Sequence, residues 1–164
     1  MNDSFRDEVM QLINASGEDD LELSLILSNQ LVGLSFVRCN HGSMTCIMLD
    51  FGLAKRLWLQ NTPTDFDEDL DVGLFTLRWM DKSVDDEVTA GFNPVKLKFI
   101  ERAVLEYESR IITVGMRISF EDDSSTVDIL SGQNICALAV FGWGFTGDDQ
   151  KTEVALSEYK FLPW

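Results

Sequence analysis

The chain has 164 residues, 45% of them apolar. That is enough for one domain with a real core, and disorder is excluded because only the charge departs from the globular norm. Asp and Glu number 28 against 13 Lys and Arg, a net charge of −15 that repels nucleic-acid phosphates and anionic membrane surfaces and attracts basic proteins and cations.

The opening residues predict a helix over Phe5–Ala15: Phe5, Val9, Leu12 and Ile13 share one helical face, with Asp3 or Ser4 to cap it and Gly17 to end it. Leu21–Leu27 alternates with period two and fits a strand, although leucine also favours helix. Leu31–Cys39, Met44–Phe51 and Ala54–Leu59, separated by His41-Gly42-Ser43 and by Gly52, predict a three-stranded meander. Asn61–Asp71 is an acidic loop, Leu74–Met80 a strand, and Asp81–Glu87 a second acidic segment.

Val95–Tyr107 predicts a strand with Val95, Leu97 and Phe99 inward and Lys96 and Lys98 outward. Ile111–Phe120 and Thr126–Leu130 form a hairpin around residues 121–124, and Gln133–Phe141 continues it. In the tail, Val154, Leu156, Tyr159 and Phe161 alternate with polar residues and should pair back onto the sheet. The halves echo one another, Leu34–Val37 with Met44–Leu49 matching Met116–Phe120 with Val127–Leu130, as a weak duplication or a pseudo-symmetric sheet would produce.

The motifs that signal chemistry are incomplete. His41 is the single histidine, placed in a hairpin turn beside Cys39, and no nucleophile elbow accompanies it. Cys39, His41, Cys46 and Cys136 lack the close knuckle spacing of a structural zinc site, and three cysteines in apolar runs read as free buried thiols of a reducing cytosol. Asp65, Asp67, Asp69 and Asp71 start like a calcium loop, but Leu70 and Thr76 stand where Gly and Glu belong. Gly142-x-Gly144-x-x-Gly147 matches a dinucleotide fingerprint, yet Asp148 and Asp149 follow at once and the next residues read as a strand. No catalytic residue, cofactor or metal ligand is assigned.

The acidic clusters are the distinctive feature: Glu18–Asp20, Asp65–Asp71, Asp85–Glu87 and Glu121–Asp123, with Phe66, Leu70 and Val84 interspersed. A binder of a basic protein presents such charges to steer and such apolar groups to anchor; a solvated surface is the plainer alternative. The candidate partner-binding residues are Asp65, Phe66, Asp67, Glu68, Asp69, Leu70, Asp71, Asp85, Asp86 and Glu87.

The run from Gly115 to Ser125, with Val127-Asp128-Ile129, resembles an apolar-x-Phe-x-Asp-Gly-Ser-x-apolar hairpin of small bacterial β-rich proteins, with Asp123 in place of the usual glycine. Leu31-Val32-Gly33 and Asp50-Phe51-Gly52 resemble that group's first hairpin. The group includes immunity partners of secreted or contact-dependent growth-inhibition toxins. The resemblance implies an acidic protein that binds a basic toxin domain, often a nuclease, and occludes its active site.

The expectation is therefore one domain over residues 1–164, α+β but mainly β: about eight antiparallel strands, sandwich-like or half-barrel, with an N-terminal helix. It is a non-enzymatic, cytoplasmic immunity-type inhibitor that contacts neither nucleic acid nor membrane: Met1–Asp7 lacks a signal peptide's apolar run, and no stretch reaches the ~18 apolar residues of a membrane span. The alternatives are a DNA mimic, or a small-ligand binder with an apolar pocket lined by Trp58, Trp79 and Trp143.

Overall fold

Among the described residues, nine strands follow one another in the order that the period-two pattern sets. They are β1 (Gln30–Arg38), β2 (Met44–Asp50), β3 (Lys55–Thr62), β4 (Leu74–Asp81), β5 (Ala90–Tyr107), β6 (Arg110–Phe120), β7 (Thr126–Ser131), β8 (Leu138–Phe141) and β9 (Lys160–Pro163). The structure is a computed structural model that describes residues 26–62, 73–82, 90–107, 109–122, 124–134 and 136–164. The expected helix over Phe5–Ala15 lies outside the described residues.

All strand pairs are antiparallel, in one sheet of order β4-β3-β2-β1-β5-β6-β7-β8, with β9 added against β5. Two four-stranded meanders thus meet back to back through β1 and β5. The mainly β class and the antiparallel sheet of about eight strands are as the sequence predicts. The sheet is pseudo-symmetric in topology, but the echo in the sequence misplaces the equivalence: β1 and β2 correspond by position to β5 and β6, whereas the matched residues lie in β6 and β7.

The sheet curls until its halves face each other, with β4 approaching β6 and β7, and β2 approaching β8. Between them lies one core of Leu34, Ile47, Leu49, Leu57, Leu59 and Phe75 from the first half and Leu97, Met116, Ile118, Phe120, Ile129 and Val140 from the second. A polar seam joins the halves inside. Asn61 Nδ2 donates to Ala137 O at 2.7 Å, and Ser131 Oγ donates to Asn61 Oδ1 at 3.0 Å and lies 3.3 Å from Gly73 O, with Asn61 and Ser131 both buried. Such a satisfied network fixes register where apolar contacts alone would tolerate sliding.

β5 is long for a strand, and irregularities between Leu97 and Phe99 and between Ala103 and Val104 bend it. β1 pairs with its first part and β9 with its second. The first irregularity corrects one expectation. Leu97 and Ile100 are buried, but Phe99 is turned out and is 42% exposed, because an extra residue in the strand shifts the alternation by one.

Other departures have local causes. Residues 26–28 are helical rather than extended, with Asn29 N donating to Ile26 O at 3.4 Å and Ile26 buried in the core; core contact here overrides an ambiguous leucine pattern. β3 runs on through Asn61 and Thr62, which the sequence assigns to a loop, because Asn61 is held by the seam. β8 begins only at Leu138, since Ala137 N bonds back to Asn134 O in a turn. The residues after Gly144 form a 3-10 turn, Gly147–Gln150, instead of a strand. Leu156 starts a second 3-10 turn and is 51% exposed, so the tail's alternation begins only at Tyr159.

Candidate functional site

The side chains available for function are set by how charge is shared between scaffold and connections. The described residues carry 11 acidic and 12 basic side chains, whereas the rest of the chain carries 17 acidic residues and one basic residue, Arg6. Fifteen of those 17 acids fall before β1 or in the connections on either side of β4, so most of the acidic surplus lies there.

Several charges of the described residues are paired. Asp50 accepts from Lys82 Nζ at 2.8 Å and from Gly52 N at 2.8 Å, with buried Arg56 at 3.6 Å. Burial alone would raise the Asp50 carboxyl, but Lys82, the Gly52 N–H and Arg56 outweigh it and hold it below its ordinary value. Arg117 is bidentate to Asp128 at 2.7 and 2.9 Å, which raises its pKa further.

All ten candidate partner-binding residues, Asp65–Asp71 and Asp85–Glu87, lie outside the described residues. The anchor points of their segments are defined. The 63–72 connection leaves the end of β3 and enters the start of β4, and the 83–89 connection leaves the end of β4. These anchors sit at opposite ends of an eight-residue strand, roughly 24 Å apart at about 3.4 Å per residue. That exceeds the ~10 Å Debye length at 0.1 M salt, so the anchors lie in separate electrostatic neighbourhoods.

A polar cleft of about 530 Å³ opens at the β1–β2 turn, between His41, Asn134, Thr146 and Lys151. Its wall is locked by Arg38, which donates to Asp149 at 2.6 and 2.8 Å and to Gly42 O at 2.9 Å while its guanidinium lies 5.0 Å from the Phe36 ring centre. Asp149 in turn raises the Arg38 pKa. Lys151 likewise pairs with Asp148 at 2.6 Å and holds its carboxyl down. His41 sits in the expected turn, where Gly42 has φ +88°.

The thiols diverge. Cys39 is exposed, and the His41 backbone N–H, followed by the Ser43 groups, lowers its pKa. Cys46 is buried, which pushes its thiol up to about 11. Cys136 is exposed, all three are free, and among the described residues no three His, Cys, Asp or Glu side chains group as metal ligands.

The suggested tryptophan pocket does not form. Trp58 pairs with Arg78 and Trp79 with Leu57 across β3–β4, so the two indoles point to opposite faces of the sheet. Trp79 packs on Phe51, and Trp143 packs on Phe120 from the Gly142–Gly144 turn, where its own φ is +51°. No helix among the described residues is long and apolar enough to cross a membrane. No family model, curated protein or solved structure matches the chain.

Proposed function

We propose that the protein is an inhibitory binding protein of the immunity type, which takes a basic protein partner through its acidic connections. The partner fits a toxin domain, such as a nuclease, whose active site the bound protein occludes. The observation that supports this reading is the clustering of charge along the chain: residues 1–25, 63–72 and 83–89 hold 15 of the 28 acidic residues and one of the 13 basic ones. Solubility is served by charges of both signs spread over the surface. A concentrated surplus of one sign instead makes a field that speeds encounter with an oppositely charged partner. Phe66 and Leu70, set among the acids, supply apolar anchors of the kind that slow dissociation.

The test is co-expression with the product of the adjacent reading frame, followed by purification and affinity measurement. The reading predicts a stoichiometric complex. It also predicts that neutralising Asp65, Asp67, Glu68 and Asp69 together to their amides weakens the complex about tenfold or more while the β-sheet spectrum is unchanged. A folded variant that binds as tightly as the natural chain would show that these acids serve solubility only.

A further inference from the structure

On the outer face of the second half, the bulge that turns Phe99 outward opens a groove of about 430 Å³ against the β6–β7 turn. Its lining includes Phe99, Ser119, Glu121, Asp122 and Thr126. Ser119 is 6% exposed, and among the described residues its Oγ has no hydrogen-bond partner. A buried hydroxyl without a partner is costly, and a ligand that supplies the missing bond recovers that cost. Glu121 is held only loosely by Lys96, at 3.7 Å with both side chains 46% exposed.

The chain builds one arrangement twice elsewhere. Arg38 lies over Phe36 and is bidentate to Asp149, and Arg117 lies 3.5 Å from the Phe161 ring centre and is bidentate to Asp128. Each is a guanidinium against a phenyl face with a carboxylate at its edge. The groove offers a third phenyl, Phe99, with carboxylates and an open hydroxyl, and no arginine among the described residues lines it. The ring face already draws a cation, since Lys98 Nζ lies 5.9 Å from its centre.

We propose that this groove seats an arginine side chain of the protein partner, with its guanidinium on Phe99 and its N–H groups donating to Ser119 Oγ and Asp122. Carboxylates only accept hydrogen bonds and the serine hydroxyl can accept, so the fitting group is a donor without acceptors. A flat cation adds attraction to the ring. Guanidinium meets all three conditions, whereas ammonium lacks the planar fork. The proposal rests on the reading of a basic protein partner, and it places a contact on a different strand pair from the β4 connections.

The probe is Nα-acetyl-arginine amide, titrated into the full chain and followed by amide chemical shifts, with the lysine and citrulline amides and a neutral disaccharide as controls. The expected result is a response at Phe99, Ser119, Asp122 and Thr126 that is several-fold stronger for arginine than for any control. Phe99→Ala and Asp122→Asn should each weaken it about fivefold, the size of a lost cation–π contact or exposed ion pair. Ser119→Ala should weaken it while leaving the melting temperature unchanged or raised, because it deletes an unsatisfied hydroxyl. An equal response to lysine, a response only to the sugar, or none at these amides overturns the proposal. The partner reading is judged apart: a complex indifferent to all three substitutions removes the groove and leaves that reading standing, and an arginine response without any basic partner does the reverse.

Discussion

The two halves of the sheet share one core but treat their outer faces differently. The second half is apolar on its inner face and, where β9 and the tail cover it, on its outer face as well. Inside it meets the first half, and outside Ala103, Leu105, Ile112, Val114 and Leu130 form a second core closed by Tyr159, with Val154 and Phe161 packed against it. The first half carries Ser35, Cys46, Met48, Asp50 and Arg56 on its outer face, opposite the core residues of β1, β2 and β3. One half is thus sealed by its own tail, whereas the outer face of the other includes the ion cluster of Asp50, Arg56 and Lys82. Equal topology does not impose equal chemistry, because a strand's two faces are written by alternate residues and can diverge independently.

The largest effect expected from breaking this contrast is at Gly115, which faces Leu130 in the second core. A Cβ there would overlap Ile129 O and come within 2.8 Å of Leu130 Cα. Backbone cannot yield as a side-chain tip does, so Gly115→Val should abolish the cooperative thermal transition or cost more than the ~1–3 kcal/mol of ordinary overpacking. A variant that melts like the natural chain would contradict the close approach of β6 and β7.

Next is the seal itself. Tyr159 is 6% exposed, and burial pushes its phenol up to about 12. Tyr159→Ala should cost about 3–5 kcal/mol in urea unfolding, as other large aromatic deletions do. Val37→Ala in the first half, at a side chain 44% exposed, should cost within about 0.5 kcal/mol. Similar costs for the two would remove the contrast.

A smaller loss is expected at the seam between the halves. Asn61→Ala deletes the bonds to Ala137 O and Ser131 Oγ, for about 1–3 kcal/mol. The ion cluster gives the smallest effect. Because the folded carboxyl of Asp50 is held below its ordinary value, its stabilisation is present above the unfolded pKa and is lost as pH falls through the folded one. Acid titration of stability should therefore be steeper for the natural chain than for Asp50→Asn, and identical curves would contradict the cluster's role.

The sequence makes the strands legible because alternation and turn residues are local signals: His41-Gly42-Ser43 marks the β1–β2 turn, and the acidic run after Phe120 marks the β6–β7 turn. The pairing of β1 with β5 carries no such signal, since it joins residues about sixty positions apart through shared core contacts. The outward Phe99 is hidden for a related reason: Lys-Leu-Lys-Phe reads as perfect alternation, and a bulge is fixed by the partner strand rather than by the strand's own residues. The groove and its open Ser119 hydroxyl follow from that bulge, so sequence reasoning had nothing to find them by. The acidic segments and their attachment to opposite ends of β4 were both legible, because the run Leu74–Met80 between them reads as a strand.

That attachment sets the most direct test of the central claim. Association with the partner is timed by stopped flow between 0.1 M and 1 M salt, where the Debye length falls from ~10 Å to ~3 Å. The natural chain is compared with one variant neutralised at Asp65, Asp67, Glu68 and Asp69 and another neutralised at Asp85, Asp86 and Glu87. The account predicts that salt slows association of the natural chain, and that each variant binds more slowly with a shallower salt dependence and a nearly unchanged dissociation rate. Association rates and salt slopes identical in all three chains would contradict steering by the acidic connections.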